Sequence, residues 1–128
     1  MKWLLCIAGF VIASNGWGAP RAKIAFVYGE KVSEFKFSDD KKGVVVDFGN
    51  SDGKTGKREF VGNDAKFVRD KLSKFEKSLP SESRFCNRKE ILFTTSGTKS
   101  ETKRVCLDLV DSARGDLIRF VDLLATYF

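Results

Sequence analysis

Residues 84–128 read RFCNRKEILFTTSGTKSETKRVCLDLVDSARGDLIRFVDLLATYF, and this stretch decides the fold. Ile91 and Phe93 share one face of a strand, and Val105, Leu107 and Leu109 share one face of the next. A polar, glycine-containing turn, Ser96 to Lys103, joins them. A helix follows, in which Leu117, Ile118, Phe120, Val121, Leu123, Leu124, Tyr127 and Phe128 leave Arg119, Asp122 and Thr126 as the polar stripe. So narrow a stripe predicts a helix buried over most of its circumference. Cys86 and Cys106 have the opposite parity to the apolar positions of the hairpin. Strict alternation would put a bridge between them on the sheet face away from the helix, unless a turn at Asn87 interrupts the strand.

The preceding half of the chain supplies what covers this helix. Lys23–Tyr28 places Ile24, Phe26 and Tyr28 on one side of a strand, and Gly29-Glu30 is a turn. Phe35 and Phe37 alternate with Glu34 and Lys36, residues 39–43 turn the chain, and Val44–Phe48 is the answering strand. Residues 49–56 form a loop rich in glycine, and Lys57–Val61 is a short strand. Asn63 is the expected N-cap of a helix carrying Val68, Leu72, Phe75 and Leu79 at helical spacing, with Phe67 widening the stripe. Its opposite face holds Lys66, Asp70, Lys74 and Lys77, spaced for i,i+4 ion pairs, and Pro80 ends it. The class is α+β: an antiparallel β-sheet with two helices, in the order ββββαββα, with one disulfide. Val44–Leu79 and Ile91–Phe128 each read strand, loop, strand, helix; this is either two ββα-like units or a coincidence of spacing.

Lys2, an apolar run from Trp3 to Ala13 and an exit in which Ser14, Gly16 and Gly18 are the small residues fit a signal peptide of residues 1–18, leaving 19–128 as a single domain. The run is too short to span a bilayer, so no membrane span is expected in the mature chain. Cys6 lies too early for lipidation and would leave with the peptide, so the three cysteines become the pair Cys86 and Cys106, read as a disulfide of an exported protein. Lys2 is the one charge removed, so the formal +6 becomes +5. Such a balance favours solubility and steering toward anionic partners.

Histidine is absent, which excludes Ser–His and Cys–His nucleophiles and His-ligated zinc. Asp39-Asp40 beside Lys41-Lys42 is turn chemistry, and Asp47 with Glu59 lacks a setting that would separate their pKa values. Asn50, Asp52, Gly53 and Glu59 partly match a calcium loop, but Phe48 occupies its first ligand position, so neither metal nor cofactor is expected. The basic residues of the first helix are interrupted by Asp70 and Glu76, which argues for a solvated face and against nucleic acid.

The expectation is therefore an exported, non-catalytic binding or accessory protein of the periplasm or exterior, of the inhibitor or envelope-assembly type, whose partner is another envelope or extracellular protein. Its candidate contacts are Thr98, Lys99, Ser100 and Lys103, at the turn above the Cys86–Cys106 pair. One alternative is a cationic module binding anionic cell-wall polymer or lipid headgroups through Lys66, Lys74 and Lys77. The other is a small carboxylate-based hydrolase.

Overall fold

A computed structural model describes residues 21–39, 41–96, 101–108 and 111–128. Four strands open the fold: β1 (Ala22–Tyr28), β2 (Lys31–Asp39), β3 (Gly43–Asn50) and β4 (Thr55–Val61). Helix α1 (Gly62–Ser78) follows, then β5 (Lys89–Thr95), β6 (Glu101–Cys106) and α2 (Ser112–Ala125). All six strands form one antiparallel sheet in the order β4-β3-β2-β1-β5-β6. This is the α+β class and the ββββαββα order that the alternation in the sequence implies. The β3-β4-α1 and β5-β6-α2 units lie at opposite ends of the sheet, flanking the central β1-β2 hairpin.

Period-two alternation sorts the side chains into two faces. Ala22 and Ile24 of β1 pair with Phe37 and Phe35 of β2, which pair with Val46 and Phe48 of β3. Phe93 and Ile91 of β5 complete the row beyond β1, and Val105 of β6 lies beside Ile91. Both helices cover this face. Phe120 of α2 stacks over Phe37 at 6.3 Å and meets Phe75 of α1 at 5.5 Å. Phe75 in turn meets Phe93 edge-on, so α1 runs from the β4 edge toward β5. α2 crosses in the opposite sense, bringing Tyr127 to Phe60 and Phe128 to Phe48. Among the described residues no helix covers the other face, the open one, which carries cross-strand charge pairs, among them Lys23–Glu34, Lys57–Asp47 and Arg104–Glu90.

Three local readings change. α1 starts one residue before Asn63: the chain turns from β4 at Gly62 (φ +61°), and the N-cap Val61 has no side chain that can cap. α2 is half-buried: Leu117, Phe120, Val121 and Leu124 face inward, whereas Leu123 and, just beyond the helix, Tyr127 are exposed. Among the described residues α1 is its one helical neighbour, and a single helix cannot enclose it. The i,i+4 expectation for α1 also yields to tertiary pairing, since Lys74 reaches Asp116 of α2 at 3.2 Å.

Cys86 and Cys106 form the expected disulfide, and both are buried. Cys106 sits opposite Glu90 on the open-face parity, as alternation requires. Cys86 lies outside the strand, because Asn87 and Arg88 take φ of 53° and 58° in a turn closed by Lys89 N–H donating to Cys86 O. The segment before it straps the β6 edge. Glu82 N–H donates to Arg104 O at 2.8 Å, and Arg104 N–H donates to Ser81 Oγ.

Candidate functional site

Among the residues singled out from sequence, Asp40, Thr98, Lys99, Ser100 and Leu109 lie outside the described residues, as does the segment read as a signal peptide. Lys103 is described, and it does not extend from the turn as a free cation. Its Nζ donates to Glu76 O, at the C-terminal end of α1, where a cation suits the helix dipole. Lys66 and Lys77 are exposed, but Lys74 is ion-paired, so the three do not form one unpaired cationic row.

Of the candidate carboxylates, Asp39, Asp47 and Asp52 are ion-paired. Asp39 accepts from Arg21 and Arg69 at 3.3 and 3.0 Å. Asp47 and Glu59 sit diagonally on the open face, with Lys57 directly opposite Asp47. In the loop that resembles a calcium site, Asn50 Oδ1 accepts the N–H groups of Asp52 and Lys54, and Asp52 pairs with Lys31 at 3.1 Å. Those letters make a hairpin turn.

What sequence reasoning missed is a groove between α1 and α2. Phe67, Leu123 and Tyr127, which the helical pattern assigned to the core, are 43 %, 42 % and 39 % exposed and line its walls. Phe120 is its floor, 3 % exposed and 6.2 Å from Phe67. Toward the sheet the groove continues over Phe60 and Val68, and its open end holds about 180 Å³. Single exposed apolar residues such as Phe85 and Tyr28 are ordinary, whereas three around one depression are a patch.

The rim is charged. At the open end Asp116 accepts from both Lys71 and Lys74 at 3.2 Å, and Arg119 approaches it at 3.7 Å. The Lys71 hydrogen bond, then the Lys74 one, holds the Asp116 carboxyl below its usual range. Lys71 Nζ also lies over the Phe67 ring at 5.7 Å. At the other end Asp64 stands beside the groove, and the Arg58 guanidinium lies 4.8 Å over Tyr127. Four cations to two carboxylates make the rim net basic. Residues about fifty positions apart build this site, so no local motif announces it.

A second recess lies on the far side of α2, lined by Phe26, Ser33, Phe35, Phe48, Val121, Asp122 and Ala125. Its floor is core: Phe35 and Phe48 pack on each other and on Phe128. Comparison with known proteins gives no match to a family model, a curated protein or a solved structure.

Proposed function

We propose that this chain is an exported, non-catalytic binding or accessory protein that docks another envelope or extracellular protein in the groove between α1 and α2. The carrying observation is the exposure of Phe67, Leu123 and Tyr127 around one depression with a basic rim. Aromatic and arginine side chains flanking a pocket are the residues that dominate binding energy in protein interfaces. The complementary partner presents an apolar anchor flanked by acidic residues, in keeping with the +5 charge left once Lys2 is discounted from the formal +6. The N-terminal pattern supports export, and so does the disulfide, which persists in oxidising compartments.

The test starts with capture from envelope and extracellular extract, followed by calorimetry on the purified captured protein. Leu123→Asp and Phe67→Asp place a charge at exposed positions and are expected to weaken binding at least about tenfold, about 1.4 kcal/mol. Binding is expected to survive replacement of Thr98-Lys99-Ser100 by glycines, and to survive high salt. Undiminished binding by both groove variants would overturn the groove reading. Loss with the glycine variant alone would move the surface to the β5–β6 turn. Loss with Lys66 and Lys77 changed to glutamate, Lys74 being kept because it belongs to the groove rim, together with steep salt dependence, would favour the anionic polymer or headgroup reading.

A further inference from the structure

The two edges of the sheet are treated differently. At β6 the strap covers the edge, with Glu82 N–H on Arg104 O and the disulfide fixing its end. At the other end β4 pairs with β3 on one side, and no strand of the described chain pairs with the other. From Thr55 to Glu59 it is exposed or half-buried along its length. Such an edge carries a row of backbone donors and acceptors ready to pair with another strand.

The side chains of β4 specify that strand. On the open face a cross-strand row runs Lys36, Asp47, Lys57, alternating in sign and ending at the edge on a cation. Glu59 lies on the same face two residues along, and among the described residues it forms no ion pair. We propose that β4 pairs antiparallel with β4 of a second copy of this chain, with Arg58 opposite its own equivalent on a two-fold axis. In this register Lys57 faces Glu59 of the partner and Glu59 faces the partner's Lys57, so the row continues Lys36, Asp47, Lys57, Glu59 with alternation intact. The seven-residue strand Thr55–Val61 is centred on Arg58, so all of it pairs without overhang. Thr55 meets Val61, which is 52 % exposed in the single chain. The like pair at the axis is eased because each Arg58 leans over its own Tyr127 on the helix side. A shift of two residues would set Glu59 against Glu59, and a shift of one would turn the second sheet over. The product is a continuous twelve-stranded sheet with the strapped β6 strands at its ends.

Sedimentation of the purified protein over a range of concentrations tests this. Wild type is expected to reach a dimer. Lys57→Glu and Glu59→Lys each replace attractive contacts by repulsive ones and are expected to weaken the dimer at least about tenfold. An equimolar mixture of the two variants restores both attractions and is expected to form a mixed dimer, as is the double reversal with itself. That rescue also shows that the variants are folded. A wild type that stays monomeric at all concentrations overturns the proposal, as does a dimer that both reversals leave intact or that mixing fails to restore. None of these outcomes bears on the groove between the helices, whose test is partner binding.

Discussion

Phe128 lays its ring on the backbone of Gly56: a β-carbon at position 56 would lie 2.8 Å from the ring. The same ring stacks on Phe48 at 5.0 Å, so residues beyond α2 close the core against β3 and β4. Gly56→Val is expected to displace that ring and lower stability by about 1–3 kcal/mol, the usual penalty of overpacking. Gly49, which has open space where its β-carbon would go, provides the control. Denaturant unfolding that ranks Gly56→Val and Gly49→Val alike would show that Phe128 does not sit there.

Leu123 and Leu124 are neighbours with opposite surroundings. Leu124 is 1 % exposed in the core, whereas Leu123 is 42 % exposed on the groove wall. Leu124→Ala is expected to lose about 2–5 kcal/mol. Leu123→Ala is expected to stay within about 1 kcal/mol of wild type. Equal losses would mean that α2 is rotated from the orientation described.

The alternation of Val44, Val46 and Phe48, and of Phe35 and Phe37, was legible because sheet side chains have a fixed period and one covered face. Cys86 and Cys106 were legible for the same reason, with the Asn87-Arg88 turn as the interruption. The groove was not legible. Leu123 and Tyr127 carry the letters of a core, and whether a neighbour covers them depends on α1, some fifty residues away. Arg114 was overlooked because S-A-R-G-D reads as a polar approach to the helix, yet it is 7 % exposed. Buried charges are identified by their partners, and those lie far off in sequence.

Asp116 gives the helix pair a pH dependence. Its carboxyl is held below the ordinary value, first by the hydrogen bond from Lys71 and then by that from Lys74. The folded state therefore binds fewer protons than the unfolded chain, and the contribution is complete above the ordinary carboxylate value of about 3.9. It is lost as pH falls from there through the folded value. Asp116→Asn is expected to lower stability near neutral pH and to converge on wild type in acid. Stability curves that stay parallel between about pH 6 and pH 2.5 would remove Asp116 from this role.

The disulfide closes a loop with a sequence separation of 20 and holds the strap end on β6. By chain entropy, replacing Cys86 and Cys106 by serine is expected to cost about 3 kcal/mol. Amide exchange of Arg104 and Glu82, which lie on either side of the strap contact, is expected to rise more than that of β1. Free thiols in the folded, air-oxidised protein would end the argument, as would an unchanged midpoint in the double variant.

Arg114 ties the same strap to α2. Its guanidinium pairs with Asp111, the N-cap of α2, and with Glu82 of the strap, while its Nε has no partner among the described residues. Asp111 Oδ1 also accepts the Arg114 N–H at 2.9 Å, and this bond leads the causes that hold its carboxyl below the usual range. Arg114→Leu removes the cation and leaves Glu82, whose side chain is 16 % exposed, with Arg84 at 3.7 Å as its remaining counter-charge. Breaking one side of a largely buried pair is expected to cost on the order of 3 kcal/mol. The double variant Glu82→Leu, Arg114→Leu leaves no unpaired charge at the strap. It is therefore expected to be more stable than Arg114→Leu alone, though Asp111 still loses a partner. A double-mutant cycle measures the difference. If the two losses add, Glu82 and Arg114 do not communicate, and the strap is held by the disulfide and the Arg104 hydrogen bonds without them.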